Sequence, residues 1–217
     1  MSLRLFDDDR EVLGIGAWPS NGHLIADVAR LGYLDGTVLD ATYGRGNFWR
    51  EWEPGELVTV DIRTRSDVRA DFLALPFRAE SFDSVVYDPP YRLSGRRLQD
   101  DFDDRYGLQE YRNNPEILEF LSAGLLECWR CTKRYLLVKC QDQVSGSRVV
   151  WQTDIFTRLV EERSGRKVDR FEFVSASKNA RPRPRSQEHA RRNHSTLLVF
   201  RRQTGRERPD KITVEEQ

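Results

Sequence analysis

The apolar, β-rich run Ser84-Val85-Val86-Tyr87 leads directly into Asp88-Pro89-Pro90-Tyr91, and no other stretch of the chain restricts its fold so tightly. Two successive prolines can neither continue a helix nor donate to a sheet ladder, so the strand must stop where they begin. The tetrapeptide is therefore expected at the carboxyl tip of a buried parallel strand, which is where open α/β sheets hold their ligands. Its chemistry suits such a place. A carboxylate and a prolyl carbonyl can accept hydrogen bonds from an exocyclic amine, while an aromatic ring stacks on the planar group that carries it. The plain alternative is an ordinary loop with a di-proline stop.

The upstream chain repeats the same arrangement. Thr37-Val38-Leu39-Asp40 is a short strand ending in a carboxylate, and Ala41-Thr42-Tyr43-Gly44-Arg45-Gly46 follows it. Glycines two residues apart let the backbone turn tightly and approach a ligand without a Cβ clash. Leu57-Val58-Thr59-Val60-Asp61 ends in a second acid, about twenty residues after Asp40, at the spacing where a carboxylate can reach ribose hydroxyls. Ala70-Asp71-Phe72-Leu73-Ala74-Leu75-Pro76-Phe77 supplies a third acid beside an aromatic residue. Each acid alone reads equally well as a cap or a surface charge. Their common register favours one binding crevice.

Taken together, Asp40 to Gly46 and Asp88 to Tyr91 resemble the D-x-x-x-G-x-G and D/N/S-P-P-Y/F/W motifs of S-adenosylmethionine (SAM) dependent amino-methyltransferases. Those enzymes act on adenine or cytosine in DNA, guanine in RNA, or glutamine amides in protein. Thr42 and Tyr43 depart from the pattern, which often has Phe or Pro and a small residue there. The resemblance spans about residues 18 to 202. It implies a three-layer Rossmann-like α/β fold, with a mostly parallel seven-stranded sheet in the order 3-2-1-4-5-7-6 and a late antiparallel strand. It implies SAM as cofactor, bound by Pro19, Asn21, Asp40, Thr42, Gly44, Gly46, Asp61, Ile62, Asp71, Phe72 and Asp88. Asp88, Pro89, Pro90 and Tyr91 would be catalytic.

The cofactor motif precedes the D-P-P-Y motif without a long insertion, which resembles the gamma arrangement of DNA adenine methyltransferases. Adenine N6 in DNA is therefore the favoured target, ahead of guanine N2 in transfer RNA. Protein glutamine methylation is disfavoured because that family normally carries Asn where this chain has Asp88. Methylation at cytosine C5 is disfavoured because the chain has no Pro-Cys dipeptide to supply a nucleophile. A noncatalytic nucleic-acid-binding module with the same fold stands as the reading from another class. No separate target-recognition domain is evident, so selectivity would come from residues 92–114 and 176–194, or from a partner subunit or homodimer.

Charge distribution points to a nucleic-acid partner as well. The chain is neutral overall, yet residues 163–208 hold fourteen Lys or Arg against four acids, leaving −10 for the remainder. Such polarity suits a protein that offers one basic face to a polyanion. Lys178-Asn179-Ala180-Arg181-Pro182-Arg183-Pro184-Arg185, then Arg191 and Arg192, alternate Arg with Pro in part. Proline holds the backbone extended there, so guanidinium groups project at intervals suited to phosphates. Lys178, Arg181, Arg183, Arg185, Arg191 and Arg192 are the expected nucleic-acid contacts; a solvated charged loop is the alternative.

The remaining chain reads as one domain over residues 1–205, with a loose segment at 1–16 and a polar tail at 206–217. Ser20 or Asn21 caps a helix whose apolar face is Leu24, Ile25, Val28, Ala29 and Leu31. Residues 92–114 form a charged loop, with Phe102, Tyr106 and Tyr111 either wedging against bases or anchoring the loop. A helix from Pro115 to near Lys133, a strand over 135–140, a helix over 151–163 and strands at 168–174 and 196–200 complete the pattern. Cys128 and Cys131 have C-x-x-C spacing but lack nearby ligands, so they are read as core positions and no metal is expected. Three cysteines cannot build a disulfide framework, and no export signal or membrane partner is indicated, which together place the chain in the cytoplasm.

Overall fold

A computed structural model describes residues 18–93, 114–145, 148–174, 189–190 and 192–203. Helix α1 (Asn21–Arg30) begins where Ser20 caps it, the Ser20 hydroxyl accepting from the His23 N–H. Strand β1 (Thr37–Asp40) leads through the glycine turn to a single 3-10 turn, Asn47–Trp49, in place of a longer helix. Strands β2 (Glu56–Thr59) and β3 (Phe82–Tyr87) follow, then α2 (Asn114–Cys131) and β4 (Thr132–Cys140). A small hairpin of β5 (Gln143–Ser145) and β6 (Arg148–Val150) precedes α3 (Gln152–Glu161), β7 (Gly165–Val174) and β8 (His194–Arg202).

Six strands form one sheet in the order β2-β1-β3-β4-β8-β7. The first four are parallel, and β8 runs antiparallel to both β4 and β7. The expected seventh strand is reduced to one parallel bridge, Val60 with Val68, at the β2 edge. Counting that bridge as the third strand, the order is the expected 3-2-1-4-5-7-6. Residues 70–77 are turns and bends, in which Asp71 takes the N–H of Leu73 on its side chain and that of Ala74 on its carbonyl. Those amides are then lost to a ladder.

Alternation along the strands sorts the core into two layers. Val85, Tyr87, Leu136, Val138, Leu198 and Phe200 face Ile117, Leu121, Leu125, Phe156 and Val160 of α2 and α3. Val86, Leu137, Leu197 and Val199 face Leu24, Ile25 and Val28 of α1, with Phe48 and Trp49 of the 3-10 turn. Leu31, expected on the buried face of α1, instead lies at its C-cap and is exposed. Cys128, Cys131 and Cys140 are free thiols in the core, and burial pushes each thiol pKa up.

Helix α2 lies unusually close to the sheet at Gly124. A Cβ there would come within 2.5 Å of both the Phe72 ring and the Tyr87 hydroxyl, the latter already donating to the Leu121 carbonyl at 3.0 Å. Neither ring has free space to retreat, since Phe72 is held between Tyr87 and Phe120. Gly124→Val should therefore lower unfolding free energy by about 1–3 kcal/mol, the usual cost of overpacking. Urea denaturation checks this; an unchanged midpoint would contradict the packing described.

Candidate active site

The carboxyl ends of β1, β2, β3 and β4 meet at one rim, and backbone hydrogen bonds bind them together. The Ala41 N–H donates to the Val86 carbonyl (3.0 Å), the Val60 N–H to Asp40 (2.8 Å), and the Tyr43 N–H to Val60 (3.0 Å). The Asp88 N–H donates to the Thr42 hydroxyl at 2.7 Å, which fixes the start of the di-proline turn against the glycine turn. Gly44 and Gly46 both have positive φ, as the sequence spacing requires. At Gly46 a Cβ would also strike the Tyr43 hydroxyl at 2.7 Å.

Asp40 is buried, and both of its oxygens are occupied. Oδ1 accepts from the Thr42 N–H at 2.9 Å and Oδ2 from the Trp49 indole at 2.7 Å. It therefore works as an internal brace of the turn. Burial raises its pKa to about 7, against the lowering effect of these two hydrogen bonds, with the charges of Asp88 and Asp61 adding to the rise. Asp61 behaves in the opposite way. Burial acts to raise it, but the N–H groups of Thr64, Arg63 and Gly44 outweigh burial and hold it below the ordinary carboxylate range. Oδ1 takes the Arg63 and Thr64 N–H groups, whereas among the described residues Oδ2 takes only the N–H of Gly44, at 2.9 Å. One acceptor position on Oδ2 thus stays open. Ile62, next in the chain, is an exposed apolar side chain.

The structure brings Asp40, Asp61 and Asp88 within electrostatic reach of one another through Asp40. The charge of Asp71 bears on Tyr87, the residue before Asp88, and Phe72 packs edge-on to Tyr87 at 5.4 Å on the α2 side of the sheet. Pro19 is an exposed residue just ahead of α1, and Asn21 is the first residue of that helix. Lys178, Arg181, Arg183, Arg185 and Arg191 lie outside the described residues, as do 94–113 with Phe102, Tyr106 and Tyr111. Arg192 is described, and its guanidinium lies over the Trp151 ring, 4.3 Å from the centroid.

At the turn itself, Pro89 and Pro90 are buried. The Pro89 carbonyl accepts the Tyr91 N–H at 2.7 Å and, among the described residues, keeps a second lone pair free. Tyr91 is half-buried; burial, then the Asp88 charge, push that phenol well above its ordinary range, against a lowering effect of the Ser195 hydroxyl. Its carbonyl accepts from two glutamine amides, Gln143 at 2.6 Å and Gln152 at 2.7 Å. Gln143 also accepts the Leu93 N–H at 3.1 Å, so the exit from the turn is held at two points. Burial raises the pKa of Asp88, and Lys139 opposes that rise. Sequence reading passed over Lys139, Gln143 and Gln152. A lysine inside the apolar run 135–140 and the Gln-Asp-Gln that follows it were the available signals.

No protein-family model matches the sequence, and no curated protein matches it. Solved structures do. The magnesium protoporphyrin IX methyltransferase of Synechocystis PCC 6803 with bound SAM is similar at TM-score 0.50 and 14% identity, over 84% of this chain and 78% of that one. The same enzyme with bound SAH gives 0.51 and 13%, over 84% and 81%. A SAM-dependent methyltransferase from Thermotoga maritima gives 0.50 and 14%, over 86% and 90%. The chain has the fold of SAM-dependent methyltransferases. Within that fold the glycine turn, Asp61 and the di-proline turn share one end of the sheet.

The brace formed by Asp40 has a pH signature. A carboxyl whose pKa is about 7 when folded and 3.8 when unfolded favours the folded state in its protonated form. Its contribution is complete below about pH 4 and is lost as pH rises to about 7. The stability advantage of wild type over Asp40→Asn should accordingly shrink across that window and stay constant above it, as read from urea midpoints. A pH-independent difference would refute the assignment.

Proposed function

We propose that this protein is a SAM-dependent methyltransferase that modifies an exocyclic amine of a nucleic-acid base, with adenine N6 in DNA as the favoured target. The reading is carried by the arrangement of Asp88, the Pro89 carbonyl and Tyr91 on a turn fixed by Thr42, Gln143 and Gln152. The residues present fit the cofactor. Two positive-φ glycines leave the backbone open to close approach, Asp61 Oδ2 keeps an acceptor position for one ribose hydroxyl, and Ile62 offers an apolar surface for an adenine. When bound, SAM supplies a methyl already activated by its sulfonium.

The protein's own part is then positioning. Asp88 and the free lone pair of the Pro89 carbonyl accept the two amine hydrogens, which turns the nitrogen lone pair out of conjugation and toward the donor. Tyr91, held at its carbonyl, presents a ring for the base to stack on. A base reaches such a turn only unpaired or flipped. Arg192 stacked on exposed Trp151, one residue from Gln152, adds a cationic aromatic surface beside the turn, of a kind suited to nucleic acid. The expected loops at 92–114 and 176–194, with a partner subunit or homodimer, are the proposed source of target selectivity.

Mass spectrometry of nucleosides from cells expressing the wild type or Asp88→Ala tests this. N6-methyladenine should rise in DNA with the wild type and fall to background with the variant. A new methylguanine in RNA would move the substrate to RNA, and no methylated nucleoside in either polymer would refute the nucleic-acid reading.

A further inference from the structure

Lys139 is the penultimate residue of β4, inside an otherwise apolar run, and is only 2% exposed. A buried ammonium costs several kcal/mol unless hydrogen bonds and opposite charge compensate. Three uncharged contacts surround it: its ammonium donates to Asn21 Oδ1 at the start of α1, and lies 5.3 Å from the Phe48 ring and 4.9 Å from the Phe173 ring. The opposite charge comes from the neighbouring strand. Tyr87 pairs with Val138 in parallel register, so Asp88 and Lys139 are the next pair along. Val86 and Leu137 face α1, and the two-residue alternation along β4 puts Lys139 on that face too, beside Asn21 and Phe48.

The other ionisable groups that bear on Asp88 are Asp40 from the β1 turn, Tyr91 from its own turn and Cys140 from β4. Tyr91 and Cys140 are held neutral by burial, and Asp40 is acidic. Among the described residues Lys139 is therefore the cation that bears on Asp88, and each group shifts the other toward its charged form against burial. A protonated Asp88 would lose an acceptor position and present an O–H to the substrate amine.

We propose that Lys139 is a positioning residue of this site: its buried ammonium, moored by Asn21, is the counter-charge that keeps the Asp88 carboxylate an anionic acceptor for the substrate amine. The purpose of the pair rests on the methyl-transfer reading, but its measurement does not. Protein labelled with carbon-13 at aspartate Cγ and lysine Cε is titrated by NMR without donor or substrate. The Asp88 midpoint should rise by about one pH unit or more in Lys139→Met, a tenfold change in its proton equilibrium, while Lys139→Arg stays near wild type. Should Lys139→Met fail to fold, the wild type decides alone: Lys139 should remain charged through pH 7. A neutral Lys139 at pH 7, or an Asp88 midpoint unmoved in Lys139→Met, would overturn the proposal. In methyl-transfer assays the acid limb of kcat/KM should move up with the Asp88 midpoint. A shifted midpoint in a protein that methylates nothing would uphold the pair and sink the proposed function.

Discussion

A side-chain hydrogen bond, from the Asp88 N–H to the Thr42 hydroxyl at 2.7 Å, ties the di-proline turn to the glycine turn beyond the ends of the paired strands. Thr42 is itself held through its own N–H by Asp40, which also takes the Trp49 indole, so the tie extends from the 3-10 turn to the di-proline turn. Any buried partner left unsatisfied in this line would cost about 1–3 kcal/mol. That cost helps to keep the strand ends in register. The glycine turn is joined to β2 in the same way, through the Gly44 N–H and Asp61.

This arrangement divides roles among acids that look alike in the sequence. Asp40 is consumed by internal bonds and becomes a brace. Asp61 spends three of its acceptor positions on backbone amides, which leaves one open among the described residues. Asp88 alone has no side-chain acceptor position taken by the described backbone, and it has a buried ammonium beside it. Burial, hydrogen bonding and a neighbouring charge thus set three aspartates to three different tasks.

Much of this was legible in the chain. Strand ends were readable because prolines and glycines stop ladders at fixed places, and α1, α2 and α3 because their apolar residues recur at helical spacing. The strand order followed from resemblance in the two motifs. What could not be read was decided by tertiary contact. Residues 70–77 are apolar enough for a strand, but Asp71 captures the amides a ladder needs. Leu31 fits the helical stripe, yet the helix ends one residue before it. Lys139 carries no mark of its role in the strand that holds it, because nothing local reveals that Asn21, Phe48 and Phe173 enclose it. Gln143 and Gln152 meet the Tyr91 carbonyl across more than fifty residues of sequence, and pairings of that range leave no periodic trace.

The central claim is that the ends of β1, β2 and β3 build one site for a nucleoside sulfonium donor. Titration of uniformly nitrogen-15-labelled protein with S-adenosylhomocysteine, followed by amide shifts, addresses it directly. The account predicts saturable binding, with the largest shifts at Thr42, Gly44, Gly46, Asp61, Ile62 and Asp88, and a marked loss of affinity in Asp61→Ala. Absence of binding, or shifts centred away from these strand ends, would contradict it.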